Sequence, residues 1–200
     1  MSKIPIDFLP SPELLRDRVI LITGATGGFG RAISLGLAEH GATVVLLARN
    51  LRLVETLYDD IEQAGYPLPA IYPMNLEGAT ERDYEELANN IETQLGRLDG
   101  ILHNAAFLGA PTVFAQSDSE TWYKVHQINL HAPYMITRSC LPLLSRSAHA
   151  SVVCMTDDKP GPYWDAYHVS KKSLEAMADM LAREYQDSNL CVNCFNPGKT

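Results

Sequence analysis

Val19-Ile-Leu-Ile-Thr-Gly-Ala-Thr-Gly-Gly-Phe-Gly30 is the stretch that decides the fold. It starts as a short apolar, β-branched run typical of a buried strand, and Arg31-Ala-Ile-Ser-Leu-Gly-Leu-Ala38 follows with a helical pattern. Gly24, Gly28 and Gly30 remove side chains where the strand turns, where a phosphate approaches the backbone, and where the helix meets the sheet. The helix amides then face an anion. A purely structural turn is the alternative, because Gly-x-x-x-Gly-x-Gly differs from the Gly-x-Gly-x-x-Gly fingerprint.

Tyr167-His-Val-Ser-Lys171 is the second informative stretch. On a helix, a phenol and an ammonium at positions i and i+4 leave the same face about one turn apart. The positive charge would favour the phenolate and lower the pKa of Tyr167, which suits proton exchange with a carbonyl or alcohol oxygen. The alternative is an ordinary exposed helix face.

Strand and helix patterns alternate through the rest of the chain. This alternation predicts a doubly wound parallel sheet, a three-layer α/β/α Rossmann fold, with ligands at the carboxyl ends of the strands. We predict strands at 19–23, 42–48, 69–74, 100–103, 151–155 and 190–195 and helices at 51–64, 80–95 and 166–187. A helical region at 119–146 is expected to be interrupted near Pro133 and Pro142.

Five motifs follow one another in the order Thr23-Gly-x-x-x-Gly-x-Gly30, His103-Asn-Ala-Ala106, Asn129, Tyr167-x-x-x-Lys171 and Asn196-Pro-Gly198. With these motifs the chain, from about Asp17 to Thr200, resembles the short-chain dehydrogenase/reductase family, in which Asn-Asn-Ala-Gly is common at the second motif, and within it a bacterial YciK-like oxidoreductase subgroup. The resemblance implies one dinucleotide-binding domain at 17–200 behind a lead-in at 1–16, and a homodimer or homotetramer.

The end of the second strand bears on the choice of cofactor. An acidic residue there would bind the ribose hydroxyls of NAD, whereas this chain has Ala48-Arg49-Asn50. The Arg49 guanidinium suits a 2′-phosphate, so we expect NADP rather than NAD; the alternative is that Arg49 simply faces solvent. The expected cofactor contacts are Gly24, Thr26, Gly28, Phe29, Gly30, Arg49, Asn75, Leu76, Asn104, Ala105, Tyr167, Lys171, Pro197 and Gly198.

By resemblance, Tyr167 is the general acid/base, Lys171 binds the nicotinamide ribose and tunes the phenol, and Asn129 holds a water of the proton relay. The family's serine after the fifth strand is replaced: Asp157 aligns with it, and Thr156 lies beside it. An ionised Asp157 only accepts hydrogen bonds and would raise the pKa of the phenol. Two alternatives would restore a donor: a protonated Asp157, or a shift that brings in the Thr156 hydroxyl.

Two functions therefore stay open. One is an NADP-dependent oxidoreductase that transfers hydride between nicotinamide and a small carbonyl or alcohol substrate. The other is a nucleotide-binding protein of the same fold without turnover, because of Asp157 and because the chain lacks the C-terminal segment usual in the family.

Composition and charge bear on the partners, location and metal content that we expect of the protein. The chain has 200 residues, a net charge of −8 and no basic stripe, so we expect neither nucleic acid nor a membrane as partner. Without a visible signal peptide, we expect a cytoplasmic protein. We assign no metal: Cys191 and Cys194 have redox-motif spacing, but they lie in a predicted buried strand, where residues three apart face opposite sides.

Overall fold

Six strands alternate with six principal helices in the computed structural model, which describes residues 9–157 and 162–198. The strands are β1 (Val19–Thr23), β2 (Thr43–Ala48), β3 (Ala70–Pro73), β4 (Gly100–His103), β5 (Ala150–Met155) and β6 (Leu190–Phe195). The helices are α1 (Gly28–Glu39), α2 (Leu51–Gln63), α3 (Glu81–Leu95), α4 (Ser119–His126), α5 (Ala132–Leu144) and α6 (Asp165–Glu184). A short 3-10 turn, Phe114–Gln116, precedes α4.

The strands form one parallel sheet in the order β3-β2-β1-β4-β5-β6. The chain builds outward from β1 through β2 to β3, then returns to place β4 on the other side of β1. The carboxyl ends of β1 and β4 therefore open a crevice at the point where the winding direction reverses, which is where ligands bind in such sheets. The predicted doubly wound fold is confirmed.

Apolar side chains pack on both faces of the sheet. On one face, Ala38 of α1 and Val54, Leu57 and Ile61 of α2 cover the strands. On the other, the core includes Tyr84, Leu87 and Ile91 of α3, Ile136 and Cys140 of α5, and Leu174 and Ala178 of α6. Because both faces are covered, the inner strands are almost continuously apolar, as their sequences predicted.

The long helical region differs from expectation. Neither Pro133 nor Pro142 ends a helix: Pro133 lies at the start of α5, where no amide donor is needed, and Pro142 lies inside α5. The interruption is a π-helical segment, Gln127–His131, centred on the buried Asn129. This interruption ends two residues before Pro133, as expected, whereas α5 continues through Pro142, so the predicted interruption near Pro142 was wrong.

The last strand also differs from expectation. β6 lies at the edge of the sheet, and Cys191 and Cys194 are both exposed as free thiols. Among the residues that the structure describes, β6 pairs with β5 alone and forms an exposed edge, so the prediction that this strand is buried was wrong.

The predicted lead-in begins with residues 1–8, which lie outside the described part of the chain. Its remainder packs against the α1–β2 turn, where the amide of Leu15 donates to the carbonyl of His40 at 2.8 Å. In residues 9–157 and 162–198, no helix is both long and apolar enough to cross a membrane.

Asp99 joins the amino ends of β1 and β4, opposite the crevice. Its buried carboxylate accepts hydrogen bonds from the amide of Val19 at 2.9 Å, the hydroxyl of Ser147 at 2.7 Å, and Nε and Nη2 of Arg97 at 2.8 and 2.7 Å. Burial opposes the charge, but these donors outweigh it and lower the pKa of Asp99 from 3.8 to about 2.

The Asp99 contacts predict a specific loss of stability in acid. Because the folded pKa lies below the unfolded one, the stabilisation is present above about pH 4 and is lost as the pH falls towards 2, by about 2 kcal/mol. Asp99→Asn should remove this contribution at pH 7 and flatten the free energy of unfolding between pH 4 and 2, as measured by urea denaturation. Asp179→Asn, which removes an exposed ion pair with Arg183, is the matched control and should change stability by less than about 0.5 kcal/mol. Equal pH dependence in the wild type and Asp99→Asn would contradict this assignment.

Candidate functional site

A cavity of about 360 Å³ opens at the crevice between β1 and β4. Ten of the residues predicted to contact the cofactor line it together: Gly24, Thr26, Gly28, Phe29, Gly30, Arg49, Asn75, Leu76, Asn104 and Ala105. Seven further residues complete the lining: Gly27, Leu47, Ala48, Met74, Ala106, Phe107 and Ile128. The cavity is therefore built from the ends of four strands and the start of α1.

Hydrogen bonds between uncharged groups join the end of β1 to the segment after β4 at this cavity. The hydroxyl of Thr23 accepts from the amides of Asn104 and Ala105, both at 3.1 Å. In return, Nδ2 of Asn104 donates to the carbonyls of Thr23 and Gly24 at 3.1 and 3.0 Å. We call these four residues the strand clamp; they fix the positions of the glycine turn and the segment after β4 relative to each other.

The glycine turn fits this clamp only because two side chains are missing. Gly24 has a φ of +64°, and a Cβ there would lie 2.9 Å from the Cα of Ala105. A Cβ on Gly30 would overlap the carbonyl oxygen of Gly24. At Gly28, by contrast, nothing lies within 4 Å of an added Cβ, so the first turn of α1 borders open space.

The start of α1 has the properties of an anion site. No side chain caps the helix at Gly27, and no acidic residue occupies its first turn. The amide groups of the first turn have no carbonyl partner within the helix and carry partial positive charge, so they are suited to a phosphate.

Arg49 and Asn75 border the opposite side of the cavity. Arg49 follows β2 directly, is exposed, and has no ion-pair partner among the described residues. Asn75 follows β3, and its Oδ1 accepts from the amide of Glu77 at 3.3 Å. A second lone pair of that oxygen stays available to a ligand.

Tyr167 lies on the first turns of α6, and its hydroxyl donates to Oδ2 of Asp157 at 3.1 Å. Burial, and then the charge and the hydrogen bond of Asp157, raise the pKa of Tyr167 above its ordinary value. The expectation of a lowered pKa for Tyr167 is therefore wrong in its net direction, while the expected effect of Asp157 agrees with the structure. Of the two residues weighed for the serine position, Asp157 is the one that meets the phenol.

Lys171 is buried beneath Tyr167. Its ammonium donates to the carbonyl of Met155 at 2.8 Å and lies 5.7 Å from the centre of the Tyr167 ring. Burial lowers its pKa from 10.5 to about 8, although the Cys154 and Asp157 side chains act in the opposite direction. The side chain is thus still mainly charged at neutral pH.

Asn129 lies in the π-helical segment and is fully buried. Its Oδ1 accepts from the amide of Phe107 at 2.7 Å, and its Nδ2 donates to the carbonyl of Phe107 at 3.0 Å and to Oγ of Ser170 at 3.0 Å. The side chain therefore ties the segment after β4 to helix α6.

Several predicted residues lie outside the cavity. Tyr167 and Lys171 belong to the neighbouring α6, and Pro197 and Gly198 follow β6. Thr156 is buried and takes part in the extension of the β5–β6 pairing, where its amide donates to the carbonyl of Phe195 at 2.9 Å.

The structural roles of three residues in the site were not predicted from the sequence: Thr23 as a hydrogen-bond acceptor, Phe107 and Ser170. Thr23 stands in the glycine motif, and a polar residue at the end of an apolar strand is a usable signal. Phe107 acts through its backbone, which leaves no trace in residue type. Ser170 lies inside the Tyr167 to Lys171 motif, but its burial depends on packing.

His103 replaces an asparagine of the family pattern. It is fully buried, its Nε2 lies 2.8 Å from Oγ1 of Thr137, and burial lowers its pKa to about 3, so the ring is neutral. Within the described residues, no group of three or more histidine, cysteine, aspartate or glutamate side chains could hold a metal ion.

Comparison with known proteins agrees with this architecture. The family model for short chain dehydrogenase matches residues 18–200. The uncharacterized oxidoreductase YciK of Escherichia coli K12 is 38% identical over 197 residues, which are 96% of this chain and 77% of YciK. A short chain dehydrogenase of Pseudocercospora fijiensis is 30% identical over 92% of this chain, which spans 60% of that relative.

Solved structures show the same similarity. A short chain dehydrogenase from Pseudomonas syringae is 42% identical with a TM-score of 0.94, covering 98% of this chain and 82% of that one. One from Shigella flexneri, in complex with NADP, is 37% identical with a TM-score of 0.90 over 94% of this chain and 79% of its own. The match of a family model to nearly the whole sequence, the sheet order and the glycine turn lead to one conclusion: the chain belongs to the short-chain dehydrogenase/reductase family.

Proposed function

We propose that this chain is an NADP-dependent oxidoreductase that transfers hydride between nicotinamide and a carbonyl or alcohol substrate. The observation that carries the proposal is the cavity at the winding reversal, where ten residues expected from the sequence meet beside the helix that bears Tyr167 and Lys171. Membership in an oxidoreductase family supports the reaction type. Relatives crystallised with NADP and NADPH support the cofactor.

The residues of the cavity fit a dinucleotide phosphate. The amides of the first turn of α1 would hold the pyrophosphate beside Gly28, where no side chain stands in the way. Arg49 would hold the 2′-phosphate, since its guanidinium is not engaged by another described side chain. Asn75 would accept a hydrogen bond from the adenine amine. The bound nicotinamide supplies hydride chemistry, which the side chains of this protein cannot provide.

Tyr167 would move the proton. The phenol is protonated at neutral pH and can act as the general acid in carbonyl reduction, although its raised pKa makes it a weaker proton donor and makes the phenolate needed for alcohol oxidation harder to form. Lys171 would bind the nicotinamide ribose, and its ammonium, close to the Tyr167 ring, would stabilise negative charge on the phenol oxygen as the proton leaves.

Asp157 supports a second candidate function, nucleotide binding without turnover. The Tyr167 hydroxyl donates its hydrogen bond to Oδ2 of Asp157 at 3.1 Å. A substrate oxygen would have to replace this carboxylate as the acceptor. A carboxylate also offers no donor to a substrate oxygen unless it is protonated. The two candidates share the cofactor cavity and differ only in proton transfer.

Replacing Tyr167 with phenylalanine tests the oxidoreductase. We expect the wild type to oxidise NADPH in the presence of some members of a panel of aldehydes and ketones, and Tyr167→Phe to lose at least about 100-fold in kcat because the proton donor is absent. NADPH binding, followed by fluorescence of the bound cofactor, should stay within about twofold. Tyr163→Phe, just before α6, is the matched control for loss of a hydroxyl. Full activity of Tyr167→Phe would exclude the acid/base role, and tight NADPH binding by an inactive wild type would favour the second candidate.

Replacing Arg49 with aspartate tests the cofactor preference. The carboxylate should repel the 2′-phosphate and accept hydrogen bonds from the ribose hydroxyls of NADH, so the Kd for NADPH should rise by about tenfold or more while that for NADH falls. Titration of each cofactor measures both changes. Arg52→Asp makes the same charge reversal on α2 at a position outside the cavity lining and should leave the preference unchanged. An unaltered ratio of the two Kd values in Arg49→Asp would exclude this residue from the phosphate site.

Replacing Asp157 with serine distinguishes the two candidates at the proton-transfer step. Removing the carboxylate should lower the pKa of Tyr167 and supply a neutral donor, so we expect kcat for alcohol oxidation to rise by about tenfold. The rate should be followed as NADPH formation across pH 7–10, with Asp179→Ser on α6 as a control for loss of one negative charge. A decrease in existing activity would instead assign Asp157 a direct part in the reaction.

A further inference from the structure

A continuous line of hydrogen bonds runs from the cofactor cavity to the backbone of Tyr167. It begins at Phe107, which lines the cavity and whose amide and carbonyl are both bound by the Asn129 side chain. Because an amide N–H can only donate and a carbonyl can only accept, these two contacts fix the orientation of the Asn129 amide. Nδ2 of Asn129 must then face Ser170.

Ser170 completes the line. Its side chain is fully buried, and its Oγ accepts from Nδ2 of Asn129 at 3.0 Å while it donates to the carbonyl of Tyr167 at 2.7 Å. The single hydroxyl hydrogen binds the Tyr167 carbonyl, and an oxygen lone pair accepts the hydrogen bond from Asn129. Ser170 thus has both its donor and one acceptor engaged, with no water needed to satisfy them.

We propose that Ser170 is a positioning residue: its hydroxyl fixes the turn of α6 that carries Tyr167 relative to Asn129 and to the cavity wall at Phe107. The inference rests on the proposed function, because positioning matters only if Tyr167 exchanges a proton with a substrate held beside the cavity. Ser170 itself lies away from any reacting atom and acts through Tyr167.

Geometry explains why such a link is needed. Phe107 belongs to the segment after β4, whereas Tyr167 lies in the first turn of α6, after β5. The two parts of the site therefore belong to different elements of the fold. The π-helical segment presents Asn129 between them. Proton transfer requires the donor within hydrogen-bond reach of its acceptor, so a small shift between these elements reduces the rate.

Removing the hydroxyl takes a hydrogen-bond partner from two groups, the buried Nδ2 of Asn129 and the carbonyl of Tyr167. In Ser170→Ala, one Nδ2 hydrogen of Asn129 has no acceptor at Ser170, and the Tyr167 carbonyl loses that donor. An unsatisfied buried amide gains by turning towards another partner, which would weaken its hold on Phe107. The effect should therefore appear at Phe107, on a different element from the substitution.

The test combines hydrogen exchange with kinetics. In Ser170→Ala we expect the amide of Phe107 to exchange about tenfold faster by NMR, and kcat to fall by about tenfold with the Kd for NADPH within about twofold of the wild type. Ser170→Cys, which keeps a weak donor and acceptor, should recover part of both effects. Ser173→Ala on the same helix is the matched control, since this residue makes no hydrogen bond with Asn129 or Tyr167.

The outcomes separate positioning from simple stabilisation. If Ser170→Ala only lowers the melting temperature, with the exchange of Phe107 and kcat per folded molecule unchanged, the proposal is overturned. Should Ser170→Ala fail to fold, Ser170→Cys carries the same two measurements and the same criterion. If the wild type shows no turnover, the proposed function fails, and the exchange rate of Phe107 in the two variants still decides whether Ser170 holds that segment.

Discussion

The strand clamp of Thr23, Gly24, Asn104 and Ala105 is the constraint on which the rest of the site depends. It joins the carboxyl ends of two strands whose connections leave in opposite directions, so without it the crevice would have no fixed width. The clamp also dictates the glycines, because side chains at Gly24 and Gly30 would collide with its members. The close contacts at Gly24 and Gly30 also fix the direction of the first turn of α1. They therefore fix the position of the candidate phosphate site.

A second network of hydrogen bonds between uncharged groups connects the cavity lining at Phe107 to helix α6. Asn129 binds the backbone of Phe107 and reaches Ser170 on α6, so the cavity and the Tyr167 helix share one set of buried hydrogen bonds. Buried polar networks of this kind define a single arrangement when every member is satisfied. Tyr167 stands at the end of this network, where burial and Asp157 set its pKa.

The sequence predicts the fold and the cavity well, because both depend on local patterns. Apolar runs bounded by glycines mark the strands, and the residues that follow β1, β2, β3 and β4 share one edge of a parallel sheet by construction. An interruption near Pro133 was expected, but its π-helical form and its centre at Asn129 were not predictable, since Asn129 is held by partners at Phe107 and Ser170 that are distant in sequence. The pKa of Tyr167 was predicted in the wrong direction from Lys171 alone, because burial, its largest cause, becomes visible only after folding. The part played by Phe107 could not be predicted either, because this residue acts through its backbone amide and carbonyl, which every residue type has.

The two ends of the β1–β4 pair are held by different chemistry. At the carboxyl end the strand clamp contains only hydroxyl, amide and carbonyl groups, none of which titrates in water at ordinary pH. At the amino end the contacts of Asp99 depend on charge and include two guanidinium groups. Acidity and ionic strength therefore act on the strand pair from the end remote from the cavity. The strand clamp itself contains no group that responds to acid or salt, so we expect these conditions to lower the stability of the domain without directly weakening the hydrogen bonds at the cavity.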